Sequence, residues 1–244
     1  MGSVISGVHP VREALRANRP LDRVLVARGT GGARLQEIVE LCRQRSIPLR
    51  FESREVLDRA SQSANHQGVI AFGAAHQYAE LEDVLPGAKL LVVLDGIEDP
   101  HNLGAIVRTA HAAGAAAVVL PERRAVGLTE TVAKAAAGAL EYLPVVRAGN
   151  TSKALEAMKH RGFWIYGVDE RGDRLYSDTA YLEPTAFVLG GEGHGLHQNV
   201  KNHCDVLVRI PMAGAISSLN VSVASGIVLF DWRRKATTSG ISNQ

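Results

Sequence analysis

Lysine is missing from the first 75 residues of this 244-residue chain, cysteine is scarce throughout, and no apolar run approaches the roughly 20 residues that a membrane-spanning helix needs. Each absence excludes something. The two cysteines, Cys42 and Cys204, lie far apart and form no C-x-x-C pair. That spacing argues against a disulfide framework and against a cysteine-rich zinc site, so a reducing compartment, the cytoplasm, is the expected location. No basic start followed by an apolar run is present, so no signal peptide is expected. The apolar segments that do occur are broken by Ser, Gly or Asn and read as core elements. Disorder is excluded by a 46% hydrophobic and 21% charged composition.

The charge that is present is unevenly placed. Residues 1–75 carry 11 arginines and 7 acids, a net of +4, whereas the remainder carries 16 basic and 18 acidic side chains, a net of −2. Guanidinium binds phosphate bidentately, so an arginine-only module suits nucleic acid. A compositional bias of the genome would look the same, and charge alone does not separate the two.

Hydropathy patterning predicts an α/β chain in two domains. Residues 1–75 alternate helical faces (Val11, Ala14, Leu15; then Leu35, Ile38, Val39, Cys42; then Val56, Leu57, Ala60) with short strands at Val24–Ala27, Leu49–Phe51 and Gly68–Phe72. The polar stretch Asn65-His66-Gln67-Gly68 reads as an ordinary turn. Residues 76–89, rich in Glu and Asp and ending in Pro86-Gly87, read as a linker. Residues 90–235 form the second domain, and 236–244 a disordered tail.

The second domain opens on Leu90-Leu91-Val92-Val93-Leu94, a continuous apolar run of the kind buried on both faces of a parallel sheet. Asp99-Pro100-His101-Asn102 then leads into a helix. Leu103, Ile106, Val107 and Ala110 mark its core face, while Gly104, Arg108 and His111 mark the other. Glycine one turn before an arginine suggests an open notch beside a fixed charge that suits a phosphate or ribose; a solvated surface arginine would be the usual reading if Gly104 were not there. Repeated strand–helix units follow, with Thr129–Ala137 as an alanine-rich helix. Ligands of such sheets bind at the carboxyl ends of the strands.

Three loops sit at such ends. The first surrounds Asn102. The second is Gly190-Gly191-Glu192-Gly193-His194-Gly195, after the strand Ala186–Leu189. As a dinucleotide loop it is a poor match, because it comes late in its domain and Glu192 would repel a pyrophosphate. His194, His197, His203 and Cys204 match no common zinc spacing, so no metal site is expected. The third loop runs from Ile210-Pro211-Met212 to Ser217-Ser218-Leu219-Asn220-Val221-Ser222. Pro211 ends a strand, and Ser217 or Ser218 is placed to cap the next helix. That helix carries Val221, Val223, Ile227, Val228, Leu229 and Phe230 around most of its circumference and should be largely buried. Asn220 in its first turn is either a satisfied capping or core amide, or part of a ligand pocket.

Taken in order, Asn102-x-Gly104-x-x-x-Arg108, Leu189-Gly190-Gly191-Glu192-Gly193-x-Gly195 and Ile210-Pro211-Met212 with Ser217–Ser222 resemble the SpoU family of RNA ribose 2′-O-methyltransferases, within the SPOUT superfamily. Gly7-x-His9-x-Val11-x-Glu13-Ala14-Leu15 and His66-Gln67-Gly68 extend the likeness to the subgroup that methylates a guanosine of bacterial large-subunit (23S) rRNA. The resemblance implies a parallel-sheet methyltransferase domain with a deep trefoil knot, and a small N-terminal RNA-binding domain like a ribosomal protein. It also implies a homodimer with the active site at the interface. S-adenosylmethionine would be held around Gly190, Gly191, Ile210, Met212 and Leu219. Asn102, Arg108, Glu192, Ser218 and Asn220 fall on the family's functional positions. Relatives directed at tRNA share these motifs, so the target RNA is open. A nicotinamide oxidoreductase and a non-catalytic rRNA-binding factor are the alternatives from other classes.

Overall fold

The computed structural model describes residues 3–61, 66–191, 195–215 and 218–241. The chain divides into two compact units: residues 1–77 with 127–142, and residues 78–126 with 143–244.

The first unit is built on a four-stranded sheet. Its elements are β1 (Ser3–Ser6), α1 (Val8–Arg16), β2 (Leu21–Ala27), α2 (Ala33–Gln44), β3 (Leu49–Glu52), α3 (Arg54–Ala60) and β4 (Val69–Gly73). The strand order is β1-β4-β2-β3, with β4 antiparallel to both neighbours and β2 parallel to β3. Alternation along β2 explains the layering. Val24 and Val26 join Val11, Leu15, Leu35 and Ile38 in a core under α1 and α2. Leu25 and Ala27 face the other way, onto Leu57 of α3. The strand β1 escapes the sequence pattern because four residues carry too little periodicity.

The turn at His66 is more built than its composition suggests. The His66 ring is fully buried. Its Nδ1 accepts from the Gly68 N–H at 3.0 Å, so Nε2 donates to Asp58 at 2.8 Å. Gln67 and Gly68 follow at φ +54° and +77°, and the Gln67 amide oxygen accepts from the N–H of Val8. Asn65 lies outside the described residues.

Residues 127–142 belong to this unit, although the sequence places them in the second domain. After α4 (Leu81–Val84), β5 (Leu90–Asp95), α5 (Pro100–Ala113) and β6 (Ala117–Pro121), they form α6 (Glu130–Ala135). The Glu130 carboxylate accepts from Ser6 and Ser61, Tyr142 donates to Glu13 at 2.9 Å, and Arg19 donates to Glu141 at 2.9 Å. These are long-range side-chain bonds, which helical periodicity does not register.

The second unit adds β7 (Val145–Ala148), α7 (Thr151–His160), β8 (Trp164–Val168), β9 (Arg174–Leu175), β10 (Thr185–Gly190), α8 (Gln198–Lys201), β11 (Val206–Arg209) and α9 (Val221–Ile241). Its seven strands run in the order β7-β6-β5-β10-β8-β11-β9, and every pairing is parallel. All six residues of β5 are buried, as an apolar strand covered on both faces must be. The chain progresses from β5 outward to β6 and β7, then returns to the other side through β8 and β10. The junction of β5 and β10 is therefore the topological switch point.

Two expectations are corrected here. Residues 78–89 are not a free connector: Ala79 bridges to Val146 and Leu85 is buried in the core of the second unit. Their acidic residues masked a short amphipathic turn. Nor is the chain tail-like from residue 236, because α9 continues through Ile241. Among the described residues, no helix is long and apolar enough to cross a membrane.

Arg19, His76 and Glu141 form a mostly buried cluster, in which Arg19 also donates to His76 Nε2 at 2.6 Å. Burial, and then the Arg19 charge, push the His76 imidazole down from 6.5 to about 4. The folded state thus excludes a proton that the unfolded chain binds. Stability should be fully present above pH 6.5 and decline as pH falls toward about 4. Burial pushes the Glu141 carboxyl up, an opposing contribution. Urea titrations of wild type and His76→Gln across this range should show the slope flattened in the variant.

Candidate active site

The site begins with two strands whose ends approach closely. Gly190, the last residue of β10, pairs in register with Asp95, the last of β5. The Gly191 N–H donates to the Asp95 carbonyl at 2.8 Å, and the Gly195 N–H returns to the Gly191 carbonyl at 3.1 Å. A Cβ on Gly190 would lie 2.2 Å from the Gly195 carbonyl carbon, and one on Gly191 would lie 2.2 Å from the Gly96 oxygen. Neither position tolerates a side chain. These glycines are required first by backbone packed against backbone.

On the other side of this junction stands an amide pair. Asn102 is in the first turn of α5 and 7% exposed. Its Oδ1 accepts from Asn220 Nδ2 at 2.9 Å. The Asn220 Oδ1 accepts from the N–H groups of Ser222 and Val223, at 2.9 and 3.4 Å, which is N-cap geometry for α9. Asn220 thus caps α9 and holds Asn102 with one side chain. It also replaces the expected serine cap: Ser218 is exposed in the loop before the helix, and Ser217 lies outside the described residues. The α5 start is made by Asp99, whose side chain accepts from the His101 N–H, with Pro100 at the first helical position.

A cavity of about 610 Å³ opens at this junction. Asn102, Gly191, Gly195 and Val221 line it, together with Asp95, Gly96, Ile97, Glu98, Asp99, Arg124 and His197. Arg108 does not. It lies six residues beyond Asn102 on α5, about 9 Å along the axis and about 120° around it. It is exposed, with no hydrogen bond or ion pair among the described residues. Gly104 is buried, so the expected notch beside Arg108 is closed by packing. Glu192 lies outside the described residues, with Gly193 and His194. Ile210 is half-buried at the end of β11, and Met212 and Leu219 are each 38% exposed. Among the described residues, no group of three or more His, Cys, Asp or Glu is placed to hold a metal ion.

The SpoU rRNA Methylase family matches residues 89–230, the stretch that builds the sheet and this cavity. The chain belongs to the SpoU family. A second domain, described as RNA 2′-O ribose methyltransferase substrate binding, matches residues 4–79. A relative from Bacillus subtilis, YacO, named for the TrmH family of tRNA/rRNA methyltransferases, is 41% identical over 97% of both chains. The solved SpoU methyltransferase AviRb from Streptomyces viridochromogenes superposes with a TM-score of 0.82 at 25% identity, covering 98% of this chain and 91% of its own. An AdoMet-bound rRNA methyltransferase from Sinorhizobium meliloti gives 0.80 at 26% identity, covering 96% and 87%.

Motif reading of this SpoU chain missed Asp95, Arg124 and His197. Asp95-Gly96 at the end of an apolar strand was the available signal for the first. The other two are joined to the site only by the fold. Asn220→Ala removes the α9 cap and leaves the buried Asn102 without its amide donor. Unfolding in urea should show a loss of about 2 kcal/mol, with Asn220→Ser recovering part of it through the cap alone.

Proposed function

We propose that this chain transfers the methyl group of S-adenosylmethionine to the ribose 2′-hydroxyl of a guanosine in 23S rRNA. The observation that carries the reading is the Asn102–Asn220 pair at the β5/β10 switch point, with the substrate-binding match on the arginine-only first 75 residues. The match of the Sinorhizobium meliloti rRNA methyltransferase over 96% of the chain supports rRNA as the target. A tRNA ribose is the alternative target.

The residues present fit the methyl donor. Met212 and Leu219 leave apolar side chains uncovered on the loop after β11, and Gly190 and Gly191 offer close-packed backbone at the end of β10. Such a surface suits an adenine and a sulfonium methyl. Ile210, Met212, Leu219, Gly190 and Gly191 would hold the donor, which supplies an already activated methyl group. The chain's own task is to align the hydroxyl and receive its proton. Ser218, Asn102, Asn220 and Glu192 would order the ribose side. We place these events in a trefoil-knotted domain in the cytoplasm, as the family resemblance implies.

Arg108 would bind an RNA phosphate and orient the hydroxyl, since guanidinium does not give up its proton. Its position outside its own cavity supports a site completed by a second copy of the chain. So does α9, where Val223, 51% exposed, and Phe230, 48% exposed, stand seven residues apart on one stripe. The expectation that this helix is largely buried holds for Val221, Val228 and Leu229, while one apolar stripe faces outward in the single chain.

Mapping 2′-O-methyl sites in total RNA with and without the gene should reveal one lost guanosine in 23S rRNA; a loss confined to tRNA would redirect the assignment. Arg108→Ala should abolish transfer while calorimetry still detects S-adenosylmethionine binding, and full activity would remove its role. Phe230→Asp should sediment as a monomer where wild type sediments as a dimer, with activity lost in parallel.

A further inference from the structure

The cavity holds a carboxylate–imidazole pair that lies outside all three motifs. Asp95 is 6% exposed at the end of β5. Its Oδ2 accepts twice from His197, from the backbone N–H at 2.9 Å and at ring Nδ1, also 2.9 Å. Two bonds from one residue fix both the position and the plane of the ring. The other ring nitrogen, Nε2, faces Arg124 NH1 at 3.3 Å. Arginine only donates. Nε2 is therefore the acceptor, and Nδ1 carries the hydrogen that goes to Asp95. This hydrogen-bond network assigns one tautomer, in which the lone pair is on the nitrogen away from the carboxylate.

The surroundings keep that nitrogen accessible. The His197 side chain is 41% exposed and lines the same cavity as Asn102. Gly96 leaves the ring edge open: a Cβ there would lie 3.6 Å from Cε1. Arg124 is exposed and held at φ +57°, a left-handed conformation costly for a side-chain-bearing residue. Its loop is anchored by the bond from the Val126 N–H to the Ile97 carbonyl at 3.0 Å. The other charged groups around the ring are Glu98 and Asp99 on the cavity wall, and Lys201 of α8, which is paired with Asp169 at 2.6 Å.

We propose that His197 is the general base for the ribose hydroxyl, positioned by Asp95; this rests on the 2′-O-methyltransferase reading above. His197 Nε2 takes the hydroxyl proton as the oxygen's electron pair forms the bond to the methyl carbon. The carbon–sulfur bond breaks with its pair to sulfur, which leaves as a neutral thioether, and the imidazolium later gives its proton to water. Asp95 offsets the imidazolium charge, as a buried carboxylate does for a catalytic histidine elsewhere. An RNA phosphate draws Arg124 off Nε2, so the lone pair is released when substrate is bound. The proton acceptor that Arg108 cannot be is thereby supplied.

The test is single-turnover methylation of RNA between about pH 5 and 9, with wild type and His197→Gln. Wild type should lose rate on the acid side with the slope of one proton. His197→Gln should be slower by about a hundredfold at neutral pH, lack that acid limb, and bind S-adenosylmethionine unchanged. Independently of activity, nitrogen NMR of the wild-type protein alone should show His197 protonated at Nδ1 at neutral pH, with the preference weakened in Asp95→Asn. Should His197→Gln match wild type in rate and pH profile, or the NMR show the opposite tautomer, the assignment of His197 is overturned while the enzyme's activity stands. A wild type that methylates no ribose overturns the 2′-O reading and this assignment with it.

Discussion

The close approach of two backbones at the carboxyl ends of β5 and β10 is the constraint from which the site follows. At Gly190 and Gly191 the chain passes so near to Gly195 and Gly96 that any side chain would overlap main-chain atoms. Because these contacts are backbone on backbone, rearranging a neighbouring side chain cannot relieve them. The result is a rigid junction at the switch point of a parallel sheet, where helices turn away to either side and a cleft is left open. Asp95, Gly191, Gly195 and His197 line the cavity here because the strands meet in this way.

The amide pair completes what the glycines begin. Asn220 uses its oxygen to cap α9 and its nitrogen to hold Asn102. One side chain therefore couples the start of the last helix to the start of α5, which also packs along α9. An amide bonded through both its oxygen and its nitrogen resists drift, since moving it would break both sets of bonds. A capping role and a pocket role were competing readings of Asn220; the geometry shows the cap, with the same side chain bonded to Asn102.

The SpoU motifs and the electrostatics of the cavity divide the catalytic problem differently. Of the motif residues, Asn102, Arg108, Ser218 and Asn220 carry side chains that are poor proton acceptors, and Glu192 lies outside the described residues. The cavity wall supplies carboxylates and an imidazole whose tautomer is set by Asp95 and Arg124. Their arrangement depends on side chains from the end of β5, the loop after β6 and the start of α8.

Much was legible without coordinates. The doubly buried strand Leu90–Asp95, the parallel alternation and the family motifs followed from local apolar periodicity and from residue order, both written along the chain. What the sequence determined by itself was the α/β class and the family. The tertiary structure alone decided that residues 127–142 join the first unit, that Arg108 stands away from its own cavity, and that Asp95 meets His197 across 102 positions. It also decided that Gly191 is needed for packing against Gly96, whatever else it binds. The physical reason is common to all four. Each depends on contacts between residues distant in sequence, and periodicity reports only which face of its own element a residue occupies.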